Sequence, residues 1–295
     1  MPLSEVSGMR GHAFCWFSLL TILLVAGEPR ARGYGNQHDT VHFDLYRDYL
    51  IVVRGSAGPL KGLNFLLDTG ASPAVVDRRV ADKLQLDQLP ASIAVLGGSV
   101  QAGQATVPNL EVGPVRRDNL NVVVEDLSFF QKAFPVRIDA VIGLDVLGQS
   151  AFEIDYAARE IRFGAVAPLK NSLPLRLQAG LPVVDAQLNH LSVHLLLDTG
   201  ASALILFEPT TPRPATPMRV SEVRPTPGTI GEFDRKQVWL DSLRLGEAEF
   251  GKEPAFLVKG AGDGPQNFDG LISPAMLGIT KLSIDLGRGV FAFNR

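Results

Sequence analysis

From Val41 onward, apolar and polar residues alternate: Val41, Phe43 and Leu45 share one side, followed by Tyr49, Ile51 and Val53. A period of two predicts a half-buried strand across 41–53. Gly55-Ser56-Ala57-Gly58-Pro59 marks a turn. Leu63, Phe65 and Leu67 then form a returning strand that runs directly into Asp68. Between Val75 and Leu86 the period lengthens. Val76, Val80 and Leu84, separated by charges, predict a short amphipathic helix with Asp77 as its N-cap. Strand-like runs at 93–96 and 100–105 flank Gly97-Gly98-Ser99 and predict a hairpin with a glycine-rich tip. Further strands are expected at 110–112 and 120–124, and 152–156 with 160–163 reads as a hairpin. Residues 168–174, bounded by prolines, read as a linker. Beyond it the runs 181–188 and 191–197 again lead into an aspartate, Asp198.

That second approach is a copy of the first. Leu66-Leu67-Asp68-Thr69-Gly70-Ala71-Ser72 recurs as Leu196-Leu197-Asp198-Thr199-Gly200-Ala201-Ser202, seven identical residues in a row. Asp68 and Asp198 are 130 positions apart (198 − 68), as are Asp139 and Asp269, and Asp155 and Asp285. Three separated landmarks in one register predict an internal duplication. The halves are then 41–167 and 175–295, with 28–40 a polar lead-in.

A lone Asp-Thr-Gly says little, because Asp and Gly are ordinary turn residues. The duplicated motif follows an apolar strand each time and precedes a small-residue loop, which places a carboxylate on a tight, partly buried turn. Each copy is also followed, 75 positions on (143 − 68 and 273 − 198), by two apolar residues and a small one: Val141-Ile142-Gly143 and Leu271-Ile272-Ser273. Two buried carboxylates packed together cannot both ionise cheaply, so one proton is shared and the pair holds a base beside an acid. Such a pair can deprotonate a water for attack on a carbonyl and protonate the oxygen or the leaving amine.

These loops and their partner segments resemble the aspartic proteases, and the retropepsin-like branch more than the pepsin-like one. The resemblance covers most of 41–295 in outline and is specific at the two loops. It implies an all-β fold of two similar barrel-like lobes related by a pseudo-twofold, with the active site between them. It implies peptide-bond hydrolysis by an activated water, a polypeptide substrate and no cofactor. Asp68 and Asp198 would be the catalytic pair. Thr69 and Thr199 would brace the loops across the interface, Gly70 and Gly200 would allow close approach, and Ser72 and Ser202 would hydrogen-bond near the carboxylates. Substrate would be covered by flaps at 96–105 and 227–233, carrying Gly97, Gly98, Gly228 and Gly231. The sequence departs from the family at Ser273, where the first half has Gly143. It departs again at Pro209, Pro212, Pro214 and Pro217, which interrupt the stretch equivalent to the first half's helix, and neither flap has a tyrosine.

Composition narrows the alternatives. A net charge of −3 gives no electrostatic footprint for nucleic acid. The single cysteine, Cys15, excludes an intrachain disulfide, and the five histidines form no metal-binding spacing, so no metal is expected. His190 and His194 flank an alternating run and read as exposed strand residues. Arg10 precedes an apolar stretch at 13–25 that ends in Val25-Ala26-Gly27. Residues 1–27 therefore read as a signal peptide, or, if uncleaved, as an N-terminal anchor, and the protein is expected to be exported, periplasmic or secreted. A monomer is expected. Two alternatives stand beside the peptidase: a peptide-binding protein that keeps the fold without turnover, and two separate domains each pairing with another chain. The short linker disfavours the second.

Overall fold

The computed structural model describes residues 20–21, 39–95, 98–133, 135–189, 191–208, 223–224, 229–230, 233–259 and 268–295. The architecture is all-β with three short helices and a 3-10 turn among the described residues. The expected single strand over 41–53 is two, Asp39–Tyr46 and Leu50–Ala57, paired antiparallel. The chain reverses at Arg47 and Asp48, both of positive φ. Period two continues across that reversal because the pairs Phe43↔Val53 and Leu45↔Ile51 put odd-numbered residues of both strands on one face, so the pattern alone hides the turn, although Leu50 and Val52 on the other face are buried as well.

Leu60–Leu67 pairs antiparallel with Leu50–Ala57 on one side and parallel with Ala140–Ile142 on the other. It is covered on both faces. Phe65 and Leu67 enter the main apolar cluster, and Leu66 enters a second one with Leu50, Val52, Ala71 and Ile93. This two-sided burial is why the strand ends in an unbroken apolar run. After Asp68 the chain loops back, and Val75–Asp77 pairs antiparallel with the same Ala140–Ile142 strand. The loop 68–74 therefore wraps the end of that strand. The helix follows at Arg78–Lys83, where Asp77 caps it by accepting from the Arg79 N–H at 3.1 Å.

The same pairings recur 130 residues on. Leu195↔Gly270, Leu196↔Leu271 and Leu197↔Ile272 repeat Phe65↔Ala140, Leu66↔Val141 and Leu67↔Ile142 in parallel. Ile205↔Leu271 repeats Val75↔Val141. The side-chain braces follow suit. Asp139 Oδ2 accepts from the Asn64 N–H at 2.8 Å, and Asp269 Oδ2 accepts from the His194 N–H at 2.8 Å. The aspartates that served as sequence landmarks thus tie the incoming strand to its parallel neighbour. The proline-interrupted stretch expected to lack a helix lies outside the described residues.

A six-stranded antiparallel sheet joins the halves, in the order Asp39–Tyr46, Glu160–Phe163, Phe152–Asp155, Lys281–Asp285, Val290–Asn294, Asn171–Gln178. Its middle pair is Glu153↔Ser283, themselves 130 apart (283 − 153). Phe152, Ile154, Leu282, Ile284, Phe291 and Phe293 point inward and make one apolar cluster continuous with Phe65 and Leu195. On the other face, buried Glu153 lies 3.4 Å from both Arg162 and Lys281, which offset its charge. The expected linker 168–174 is only partly a connection. Residues 171–174 already pair with Val290–Asn294, and likewise Asp39 and Thr40, placed in the lead-in by sequence, belong to a strand. Asn171–Gln178 does alternate, with Leu173 and Leu175 buried between exposed Ser172, Pro174 and Arg176, but the prolines bounding 168–174 give its start the look of a connection, and it crosses from the central sheet into the sheet of its own half.

The first expected flap is a hairpin of Leu89–Val95 and Gly98–Val112, longer than predicted, in which Val95 pairs with Gly98. Leu20 and Thr21 pair with Val95 and Ala94 on its outer edge. In the second half Thr229–Ile230 pairs with Phe233 and Asp234. Gly97, Gly228 and Gly231 lie outside the described residues, as does His190. No helix among the described residues is long and apolar enough to cross a membrane.

Candidate active site

Each buried strand delivers its aspartate at the point where ladder pairing ends. The Asp68 N–H donates to the Ile142 carbonyl at 3.0 Å, and the Asp198 N–H donates to the Ile272 carbonyl at 3.0 Å. The carboxylates then turn back into their own loops. Asp68 Oδ1 accepts from the Gly70 N–H at 2.8 Å, and Asp198 Oδ1 accepts from the Gly200 N–H at 2.8 Å. Both are buried, Asp68 at 8% exposure and Asp198 at 0%.

The structure brings the two aspartates together. A Cβ added to Gly70 would sit 2.7 Å from Asp198 Cγ, and one added to Gly200 would sit 2.7 Å from Asp68 Cγ. Those distances are too short for any side chain, so each carboxyl lies against the backbone of the opposite loop. The sequence alone carries this requirement as the glycine in each copy.

Thr69 and Thr199 lock the loops reciprocally. The Thr69 N–H donates to Thr199 Oγ1 and the Thr199 N–H to Thr69 Oγ1, both at 3.1 Å. Each hydroxyl then donates onward to the strand before the opposite aspartate, Thr69 Oγ1 to the Leu197 carbonyl at 2.7 Å and Thr199 Oγ1 to the Leu67 carbonyl at 3.3 Å. Both threonines are buried, so all four bonds are shielded from water and fix the aspartates relative to one another.

The electrostatics follow from that proximity. Asp68 is held well above the usual carboxylate range, first by burial, then by the negative charge of Asp198 and a hydrogen bond shared with it. The N–H groups of Gly70 and Gly200 oppose the shift without cancelling it. The pair therefore titrates as a unit and keeps one proton well beyond the pH at which a free aspartate loses its own.

Ser72 and Ser202 do not reach the carboxyls. Ser72 is half-buried and its hydroxyl lies 3.4 Å from where a Gly180 Cβ would be, while Ser202 is exposed. No hydrogen bond among the described residues joins either to an aspartate; both lie past the turn that carries it. Gly143 is packed against the first loop: its added Cβ would meet the Ala71 carbonyl oxygen at 1.9 Å. Ser273, its counterpart, is buried and its hydroxyl has no hydrogen-bond partner. It fits without making the extra bond that a serine there could supply.

One residue of the site escapes a search for shared motifs. Asp145 Oδ2 accepts from the Ala74 N–H at 2.8 Å, tying down the far end of the first loop. The 130-residue register puts Ala275 in its place (275 − 145), and comparing the two copies for differences rather than identities would have exposed it. No group of three His, Cys, Asp or Glu among the described residues is arranged to hold a metal ion. Among the described histidines, His194 is a half-exposed strand residue whose Nδ1 lies 2.7 Å from Asp185.

A search of curated proteins found no match. Residues 53–146, which carry Asp68, the first loop, Gly143 and Asp145, match a family model described as aspartyl protease, and that stretch is similar to an aspartyl protease domain.

Proposed function

We propose that the chain is a single-chain aspartic endopeptidase of retropepsin-like character, in which two duplicated lobes related by a pseudo-twofold each contribute one aspartate. The observation that carries this is the reciprocal loop contact: two buried carboxyls, each against the other loop's glycine, cross-braced by Thr69 and Thr199. An arrangement that holds two acids together at the cost of their ionisation is hard to explain by stability alone.

In this reading a water held between the carboxyls is the nucleophile. The ionised member takes its proton as it attacks the peptide carbonyl, and the protonated member supports the developing oxyanion and then supplies the proton for the leaving amine. No covalent intermediate forms, and no cofactor is needed. The substrate is an extended polypeptide, covered in this reading by the hairpin of Leu89–Val95 and Gly98–Val112. The protein is exported and works as a monomer, its first 27 residues serving as the signal or anchor.

The test is hydrolysis of an unfolded protein substrate by the parent, Asp68→Asn and Asp198→Asn. A composite site loses activity with either substitution while the fold is retained. Substantial turnover surviving in one variant would refute the shared site. A parent without turnover at any pH that still binds extended peptides would instead make this a peptide-binding protein on the same fold.

A further inference from the structure

The two aspartate loops are not held alike, and the difference lies in the segments that back them. In the first half, the turn Leu144–Leu147 packs directly behind the loop. Gly143 allows it to approach, since any side chain there would collide with the Ala71 carbonyl. That approach brings Asp145 Oδ2 to the Ala74 N–H at 2.8 Å. The Ala74 carbonyl is taken by the Val123 N–H at 3.0 Å. The loop is thus pinned at its start by Gly70 on Asp68 and at its end by Asp145 and Val123 on Ala74. Asp145 is itself steadied by Arg117, whose guanidinium donates to the Asp145 backbone carbonyl. In the second half Gly143 is replaced by Ser273 and Asp145 by Ala275, so no carboxyl is available at the equivalent position.

We infer that Asp145 is a positioning residue for Asp68 alone, acting through the Ala74 amide as a hydrogen-bond acceptor. It touches neither substrate nor the reacting atoms. The inference rests on the peptidase reading for its kinetic consequence but not for its structural one. The required property is the acceptor oxygen rather than the charge. Burial pushes the carboxyl above its usual range despite the opposing Ala74 bond, the Arg117 charge and the nearby N–H groups of Val146 and of Asp145 itself. A fully charged group is poorly matched to such a place, whereas an amide oxygen would serve Ala74 equally.

The expected outcome is a split. Asp145→Ala lowers kcat by about 10- to 100-fold, the scale on which small misplacement of a reacting group acts, and leaves KM within about threefold. Asp145→Asn keeps an acceptor for Ala74 and stays within about threefold of the parent kcat. Amide hydrogen exchange supplies a readout independent of turnover: the Ala74 N–H is protected in the parent and in Asp145→Asn, and loses at least tenfold protection in Asp145→Ala. Should Asp145→Ala fail to fold, Asp145→Asn decides the matter, since a tenfold loss of kcat or of Ala74 protection there overturns the acceptor role. Unchanged kcat or unchanged Ala74 protection in folded Asp145→Ala overturns it as well. If the parent has no peptidase activity, the function proposed above fails, and the exchange measurement still decides whether Asp145 holds the loop.

Discussion

The threonine lock makes a quantitative prediction about how the halves are joined. Thr69→Val keeps the branched shape and removes only the hydroxyl, so no cavity forms. Two buried backbone groups lose their partner: the Thr199 N–H, bonded at 3.1 Å, and the Leu197 carbonyl, bonded at 2.7 Å. Each buried polar group left unpaired costs about 1–3 kcal/mol, which puts the loss at about 2–6 kcal/mol. Thr199→Val strips the Thr69 N–H of its 3.1 Å partner, but its second bond, to Leu67, is long at 3.3 Å. That bond contributes less, and the expected loss is about 1.5–4 kcal/mol. Thr69→Val should therefore be the worse of the two. Against a typical total stability of about 5–15 kcal/mol, either is a large fraction. Urea unfolding followed by far-ultraviolet circular dichroism measures both. Thr106→Val serves as the control, because Thr106 donates to Asn121 on the exposed surface, where the loss should stay within about 0.5 kcal/mol. If Thr69→Val proves no more destabilising than Thr106→Val, the reciprocal bonds do not hold the two loops together.

The remaining predictions concern the carboxyls and the segments behind them. The Asp68 pKa is raised in the folded protein, so its protonated form stabilises the fold fully below the unfolded value, about 3.9, and that contribution is lost as pH rises through the folded value. Asp68→Asn cannot ionise and still offers an oxygen to the Gly70 N–H. Its melting temperature relative to the parent should therefore climb as pH is raised from about 4 towards 7; a gap that is flat or narrows with pH would contradict the coupled pair. At the backing segments, Gly143→Ala forces a carbon against the Ala71 carbonyl at 1.9 Å and should cost about 2 kcal/mol or more, as overpacking against backbone does. Ser273→Ala removes a buried hydroxyl that has no partner and should be neutral or stabilising by about 1 kcal/mol. Calorimetry of the pair tests both signs, and a destabilised Ser273→Ala would mean that the hydroxyl is bonded.

How much of this was legible in the sequence depends on whether a feature is local. The aspartates, their glycines and the threonines are readable because the same seven residues occur twice, and a second copy turns a weak motif into a register that extends to Asp139 and Asp269. The helix after the first loop was readable from Asp77 and the spacing of Val76, Val80 and Leu84. The turn at Arg47 and Asp48 was not, because two antiparallel strands joined by a short turn preserve period two across the reversal. Nor was the crossing of Asn171–Gln178 from the central sheet into its own half, which depends on partners more than 100 positions away. Ser72 and Ser202 were misjudged for a different reason: identity between copies reports shared backbone geometry as readily as shared chemistry, and these serines mark the exit of the turn.

The differences between the copies carry the remaining information. A symmetric site would hold both carboxyls equally, and substrate would meet the same surroundings from either direction. Here Asp68 is 8% exposed and Asp198 is closed off, and the loop of the more accessible aspartate is the one backed by Gly143 and Asp145. The brace made by Gly143 and Asp145 therefore stands behind the less completely buried of the two carboxyls. Behind the fully buried partner stand Ser273, whose hydroxyl is unbonded, and Ala275, which has no carboxyl to offer. The two Asp-Thr-Gly loops supply the two acids; the differences at 143/273 and 145/275 give each a separate mechanical setting, which a dimer of identical subunits cannot do.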